Sequence, residues 1–354
     1  MKLPRVKPEH QPYRRDSRTV RIGGDVYGLA TEIHDPQGCA WYALRLMDGT
    51  RSVQEIADLV GARFPGQEDV VETLLAAGHV EDAAAVPPAE LSTRELDRYT
   101  RNADYFRWTD LAPREHGWEP QLRLKQARVL VLGLGGTGTH AAWALAAAGV
   151  GHLHCVDADR VELSNLNRQM LYGGADLGRH KAAVAVARLR ETNTDITVTG
   201  ENRRITSRQE LTELAAGFDV LALCADEPRG GDGIRAWANR AGLPWVGGGY
   251  AGPRVSVGVF APGHPCWECL RAEGERRGQR TDFGFPGVIS TSAGLSGLLT
   301  AQGVVSLLTG IPDIPPGYVV GLNLVSPDDR VFTRFPSRAD CAVCGQATTL
   351  TDSM

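Results

Sequence analysis

The chain has 354 residues, more than one ordinary core holds, so two to three domains are expected. With 38 Lys and Arg against 42 Asp and Glu, a formal charge of −4, it carries no basic footprint for nucleic acid, and the local run Arg14, Arg15, Arg18 and Arg21 reads as a solvated arm. It has no uninterrupted apolar stretch of about 18 residues and an amino end too polar for a signal peptide, so a cytoplasmic protein without a membrane partner is expected. Two short strands are predicted first, near Thr19 to Ile22 and Tyr27 to Ile33, followed by three helices. The helix that starts at Ser52 has a capping box with Glu55 and is expected to bury Val53, Ile56, Leu59 and Val60. After the Pro65-Gly66 turn, Val70, Val71, Leu74 and Leu75 form a second stripe, which Gly78 ends before the strand-like Val80. A small winged helix-turn-helix over residues 1–83 results. DNA binding is its rival use, but the segment Gln67 to Ala77 carries Glu68, Asp69 and Glu72 and neither Lys nor Arg.

The line from Trp41 to Ile56, together with Leu74 to Asp82, resembles the PqqD-like precursor-recognition domains of peptide-modifying enzymes. That resemblance implies a partner: the leader of a ribosomally made precursor peptide, added as a strand near Tyr27, Gly28, Leu29 and Ala30 and walled by the Val70 to Leu75 helix. A domain used only for dimer packing is the alternative. The small, proline-broken stretch Ala83 to Ala89 then marks a seam, with residues 84–126 read as linker and entry helices and 127–354 as the second domain.

In that domain Val129-Leu130-Val131-Leu132 runs into Gly133, Gly135, Gly136 and Gly138, a strand-to-helix turn whose glycines allow close approach to phosphate at a helix N-terminus. Alone, the turn fits a nicotinamide or flavin dehydrogenase equally well. Asp157 ends a second strand 24 positions after Gly133 (157 − 133), where a Rossmann fold places the acid that holds a ribose. The segment that follows, Asp157 to Gln169, has no role in hydride transfer. It resembles the D-x-D-x-V-x-x-S-N-L-x-R-Q stretch of the ThiF/MoeB/MccB adenylyltransferases, bacterial relatives of ubiquitin-activating enzymes. The resemblance continues through the G-x-x-K of Gly178 to Lys181, through Cys224-Ala225-Asp226 after the apolar strand Val220 to Leu223, and upstream through Arg98 to Asn102.

This resemblance implies an α/β, Rossmann-like domain in which a carboxylate attacks the α-phosphate of ATP and pyrophosphate leaves. Arg168 and Lys181 would clamp phosphate oxygens, Asn165 would orient a phosphate, and Asp226 would hold Mg2+ beside them. Arg101 implies a homodimer, because the family's corresponding arginine crosses to the partner's ATP. One departure is that Glu227 to Gly233 alters the family's spacing from the magnesium aspartate to its next arginine, which leaves Arg235 a loose match.

Cys266 and Cys269, with Cys341 and Cys344, form two C-x-x-C knuckles of the spacing that suits a tetrahedral Zn2+. Such an ion would staple distant segments, as structural zinc does in many members of the resembled family, and four filled corners close it to substrate. Disulfides or idle thiols compete with that reading; seven cysteines, an odd total, oppose a disulfide framework. Cys155 and Cys224 sit in apolar strand patterns and read as buried packing, while Cys39 belongs to the other region. Several family members carry a thioester- or persulfide-forming cysteine in a crossover loop; here that loop should lie near Gln279 to Gly287 and contains none. An amine, amide or thiol is therefore expected to attack the adenylate directly, as suits the peptide-adenylating subfamily.

Towards the end, Ser290 to Thr309 reads as a small-residue helix on the sheet, Arg254 to Phe260 as a strand, and Val319 to Val325 with Val331 to Phe335 as a hairpin. The expected function is ATP-dependent adenylylation of a carboxylate or amide of a leader-bound precursor peptide. Two alternatives stand: an inactive scaffold that presents the precursor to a partner YcaO-type cyclodehydratase, and activation of a ubiquitin-like sulfur carrier.

Overall fold

The computed structural model describes residues 1–225, 233–276, 287–326 and 328–345, which form two compact units, Met1–Arg123 and Leu124–Met354. The first contains, in chain order, β1 (Pro4–Val6), β2 (Tyr13–Arg14), β3 (Thr19–Ile22), β4 (Thr31–His34), α1 (Cys39–Leu46), α2 (Val53–Arg63), α3 (Asp69–Ala76), β5 (Val80–Asp82), α4 (Thr93–Arg98) and α5 (Thr100–Thr109). β1 pairs antiparallel with β5, and β2, β3 and β4 make a separate antiparallel sheet with β3 in the middle. Val20 and Ile22 of β3, Ala43 and Leu44 of α1, Ile56 and Val60 of α2, and Val71 and Leu74 of α3 meet in one core.

The expected capping box starts α2: the Glu55 N–H donates to Ser52 Oγ at 3.2 Å and the Ser52 N–H donates to Glu55 Oε2 at 2.7 Å. Two expectations are corrected. Tyr27 to Ala30 is not strand but turn, because Gly24 and Gly28 take φ of +72° and +85°, and Tyr27 is fully exposed. Leu59 is 40% exposed, since the core stripe of α2 is carried by Ile56 and Val60.

A buried pair of histidines ties this unit together. His79 Nδ1 lies 2.8 Å from His10 Nδ1, His79 Nε2 lies 3.1 Å from Thr31 Oγ1, and His10 Nε2 lies 2.7 Å from the Trp108 carbonyl. With both rings neutral, every nitrogen is satisfied when His10 Nε2–H donates to Trp108, His79 Nδ1–H donates to His10 and the Thr31 hydroxyl donates to His79. Burial first, then the nearby charges of His10 and Lys7, lowers His79 from 6.5 to about 4. Between those values the unfolded chain takes up a proton that the folded chain refuses. The contribution is therefore fully present above pH 6.5 and is lost as pH falls towards 4. Urea midpoints measured from pH 7 to 4.5 should decline, and less steeply in His79→Gln; equal slopes in both proteins would exclude His79 as the cause.

The helix α6 (Glu119–Gln126) spans the division between the units. The second unit follows as β6 (Arg128–Leu132), α7 (Gly136–Ala148), β7 (His152–Val156), α8 (Lys181–Thr192), β8 (Thr197–Glu201), α9 (Arg208–Ala215), β9 (Val220–Leu223), α10 (Ile234–Arg240), β10 (Trp245–Ala251), β11 (Arg254–Phe260), α11 (Trp267–Arg276), α12 (Ser290–Thr309), β12 (Tyr318–Asn323) and β13 (Arg330–Arg334). Its eight strands run in the order β13-β12-β11-β10-β9-β6-β7-β8, parallel from β10 to β8 and antiparallel from β10 to β13. This is the expected Rossmann-like α/β fold, with a large mixed sheet. α12 is long and apolar enough to cross a membrane, yet half of its residues are buried, packed on α7 and the sheet. The contact is close because Gly297 has no side chain: a Cβ there would lie 2.4 Å from the Thr137 carbonyl oxygen.

Candidate nucleotide cleft and metal centre

β6 has β7 on one side and β9 on the other, so the chain reverses direction across the sheet at β6, and an open α/β sheet binds ligands at that point. A cleft of about 650 Å³ lies there, lined by Gly133, Gly135, Gly136, Asp157, Asn165, Arg168 and Lys181. Gly133 takes φ +92° and donates its N–H to the Val156 carbonyl at 2.8 Å; a Cβ would sit 2.5 Å from the Ala225 nitrogen. Gly138 is not among the lining residues. A Cβ there would lie 1.9 Å from the Gly133 oxygen, so this glycine sets how tightly α7 packs behind the loop. Gly135, Gly136 and Thr137 face the cleft where α7 begins, and the amides of that first turn favour an anion.

Asp157 sits one residue past β7. Its Oδ2 accepts the Leu134 N–H at 2.6 Å and its Oδ1 the Asp159 N–H at 2.8 Å, which fixes the carboxylate beside the loop while leaving each oxygen further acceptor capacity. Tyr172 closes the other side of the loop by donating its hydroxyl to the Leu134 carbonyl at 3.0 Å; burial, followed by the charge of Asp157, pushes its own ionisation up. Asn165 is buried and accepts the Glu162 N–H at 3.1 Å. Arg168 donates to the Ser164 carbonyl at 2.8 Å and to Asn167 Oδ1 at 2.9 Å, and its buried Nε has no partner among the described residues. Lys181 opens α8, is 6% exposed, and holds its Nζ 3.3 Å from Asp159 Oδ2.

Sequence reading missed Asp159 and the pair Arg203-Arg204, which also line the cleft, with Arg204 2.9 Å from Asp159 Oδ1. Their signal was available: both arginines lie two and three residues past β8, at the carboxyl end of a parallel strand, where such sheets place ligand contacts. Trp237 and Tyr250 were missed as well, and Arg235 lines the cleft with its guanidinium carbon 4.9 Å from the centre of the Trp267 ring. Arg101 belongs to the amino-terminal unit, on α5, its side chain 93% exposed and 3.3 Å from Asp104. The expected magnesium ligand Asp226 lies outside the described residues, as does all of the expected crossover loop except Gly287.

The four knuckle cysteines come together. Their sulfurs all lie within 4.8 Å of one another, with 4.0 Å between Cys266 and Cys269, 3.6 Å between Cys266 and Cys341, and 3.4 Å between Cys269 and Cys344. A tetrahedral ion with 2.3 Å bonds to sulfur sets its ligands about 3.8 Å apart, so the cluster fits zinc. Burial opposes ionisation of Cys341, but the backbone N–H groups of Cys344 and Val343, together with the thiols of Cys266 and Cys344, outweigh it and bring that thiol down to about 7. Burial pushes Cys155 and Cys224 each up to about 12; Cys155 is fully buried packing, as expected, whereas Cys224 corrects that expectation, being only partly buried and lining the nucleotide cleft.

The ThiF family model matches residues 108–343. The chain is 33% identical over 261 residues to the molybdopterin-synthase adenylyltransferase of Salmonella typhimurium, a match covering 73% of this chain and all of that protein. It is 34% identical over 267 residues to the bovine adenylyltransferase and sulfurtransferase MOCS3, covering 75% of this chain but only 57% of that protein's length. Its fold is that of E. coli MccB, with a TM-score of 0.77 at 20% identity over 98% of this chain and 97% of that one. MccB has been solved with ATP and with N-formylated MccA. Matched through most of its length by the family model and a third identical to a molybdopterin-synthase adenylyltransferase over the whole of that enzyme, the chain belongs to the ThiF family.

Proposed function

We propose that this adenylyltransferase works in the biosynthesis of a ribosomally made peptide: the amino-terminal unit captures the leader, and the cleft adenylates a carboxylate or amide of the core. The observation that carries the chemistry is the convergence on one cleft of the α7 amides, Arg168 with its unpartnered buried Nε–H, and the buried Lys181. In this reading Asp157 takes the ribose hydroxyls, the α7 amides face the phosphates, and Asn165 orients one of them. The acceptor oxygen bonds to the α-phosphorus, the bond from that phosphorus to the bridging oxygen breaks, and pyrophosphate leaves with the electron pair. Arg168 and Lys181 neutralise the charge that gathers on the phosphate oxygens, and Asp226 holds the Mg2+ that adds to it. Arg101 serves the nucleotide of a partner copy in a homodimer.

Two coverages support the peptide. MccB shares the fold over 98% of this chain. The Salmonella enzyme, complete in its match, leaves about a quarter of this chain without a counterpart. The seat of the leader is the outer edge of β4, Thr31–His34, which pairs only with β3 among the described strands; α3, expected as the other wall, packs against α1 and α2. Activation of a sulfur carrier is the second reading, favoured by the higher identity to MOCS3.

Calorimetric titration with Mg-ATP tests the first step: one site per chain is expected, weakened in Arg168→Ala and Asp226→Asn. Pyrophosphate release should then follow addition of a leader-bearing precursor peptide and not of a ubiquitin-like carrier protein. No Mg-ATP binding would move the reading to a leader-binding scaffold for a YcaO-type partner. Release with the carrier alone would move it to sulfur transfer.

A further inference from the structure

Lys181 and Arg204 reach the cleft from different elements, the start of α8 and the loop after β8, and both end on one carboxylate. Asp159 presents Oδ2 to Lys181 Nζ at 3.3 Å and Oδ1 to Arg204 at 2.9 Å. Asp159 is itself held: its N–H donates to Asp157 Oδ1, and its carbonyl accepts the Lys181 N–H at 3.0 Å. The lysine side chain is only 8% exposed, so without a counter-charge its ammonium would be costly to keep there. The asymmetry lies on the other side of the pair. The Asp159 side chain is 53% exposed and Arg204 69%, which leaves the carboxylate free to let go of both cations into solvent.

We propose that Asp159 is a positioning residue that works as an exchangeable anion. With the cleft free of nucleotide it neutralises Lys181 and Arg204; an incoming triphosphate displaces it and takes the two cations. When the α-phosphorus has passed to the acceptor, Asp159 competes with the departing pyrophosphate for the same two cations and speeds its release. Arg204 is thereby assigned to the phosphate-binding set. No bond to Asp159 forms or breaks; it exchanges ion pairs only. This rests on the adenylation reading above.

Inorganic pyrophosphate is the probe, since it needs no knowledge of the acceptor. In calorimetric titrations of the full chain, Asp159→Asn should bind pyrophosphate about fivefold to tenfold more tightly than wild type, because a partly exposed competing charge has gone. Arg204→Gln should bind it more weakly by a similar factor, and Asp159→Glu should restore wild-type affinity. A merely structural role would weaken binding in Asp159→Asn and lower its melting temperature, so unchanged or weaker binding overturns the proposal. If wild type binds neither pyrophosphate nor Mg-ATP, the adenylation reading fails, and this proposal fails with it. If wild type binds both and Asp159→Asn binds no tighter, only the exchange role is lost.

Discussion

Replacing Lys181 with Met, or Arg168 with Ala, is expected to lower the rate of adenylate formation about a hundredfold to a thousandfold, the usual loss when one fixed donor to a charged transition state is removed. Both cations already line the cleft, Lys181 needing only to exchange its Asp159 partner for phosphate. Lys181 is anchored because it opens α8 and its stem is buried; Arg168 is anchored by bonds to the Ser164 carbonyl and the Asn167 side chain. Ground-state binding of Mg-ATP should suffer less, about tenfold, because the α7 amides and Asp157 remain. Met suits Lys181 as an unbranched side chain of similar length whose stem keeps the same burial, which keeps the comparison kinetic rather than structural. The measurement is pyrophosphate release with the leader-bearing precursor peptide under saturating Mg-ATP, and circular dichroism to verify folding. A folded variant of either kind that keeps half the wild-type rate would remove that residue from the mechanism.

The second large effect is on stability. One zinc ion per chain is expected by elemental analysis, lost when Cys266 or Cys341 is changed to Ser. The cluster joins the start of α11 to a segment after β13, and its cysteines pack in the same core as Leu221, Trp245, Phe260 and Phe335. Binding energy of the ion is therefore folding energy for the whole second unit. A loss of several kcal/mol, at roughly 2–4 °C for each in a unit of this size, lowers the melting temperature by about 10 °C. Cobalt in place of zinc should restore the melting temperature and give the intense visible absorption of thiolate ligation. A purified, folded chain without metal, or a Cys341→Ser variant that melts with wild type, would reduce the cluster to four adjacent thiols.

What could be read without coordinates was local in the chain. The glycine turn, Asp157 one residue past β7, and the Ser52–Glu55 cap are each decided by residues a few positions apart, and a strand or helix end gives each a fixed place. What escaped was decided across distance. β1 finds β5 across some 75 residues through a three-residue register that no periodicity announces. The two cations of Asp159 come from 22 and 45 positions away, so D-x-D reads as one acid with a role and a second with none. The Tyr27 error has a different cause: apolar residues there suggest a strand, but two left-handed glycines outweigh them, and an exposed aromatic at a turn looks in sequence like an inward one.

Trp267 stands inside the first cysteine knuckle, between two proposed metal ligands, and its ring lies under the guanidinium of Arg235, which lines the cleft. The proposed metal centre, closed to substrate, thus shares one side-chain contact with the lining of the cleft. If the four thiols hold zinc as proposed, loss of the ion or oxidation of one sulfur would disturb the ring on which the Arg235 guanidinium rests, so the cleft would register a change at a centre that substrate never enters.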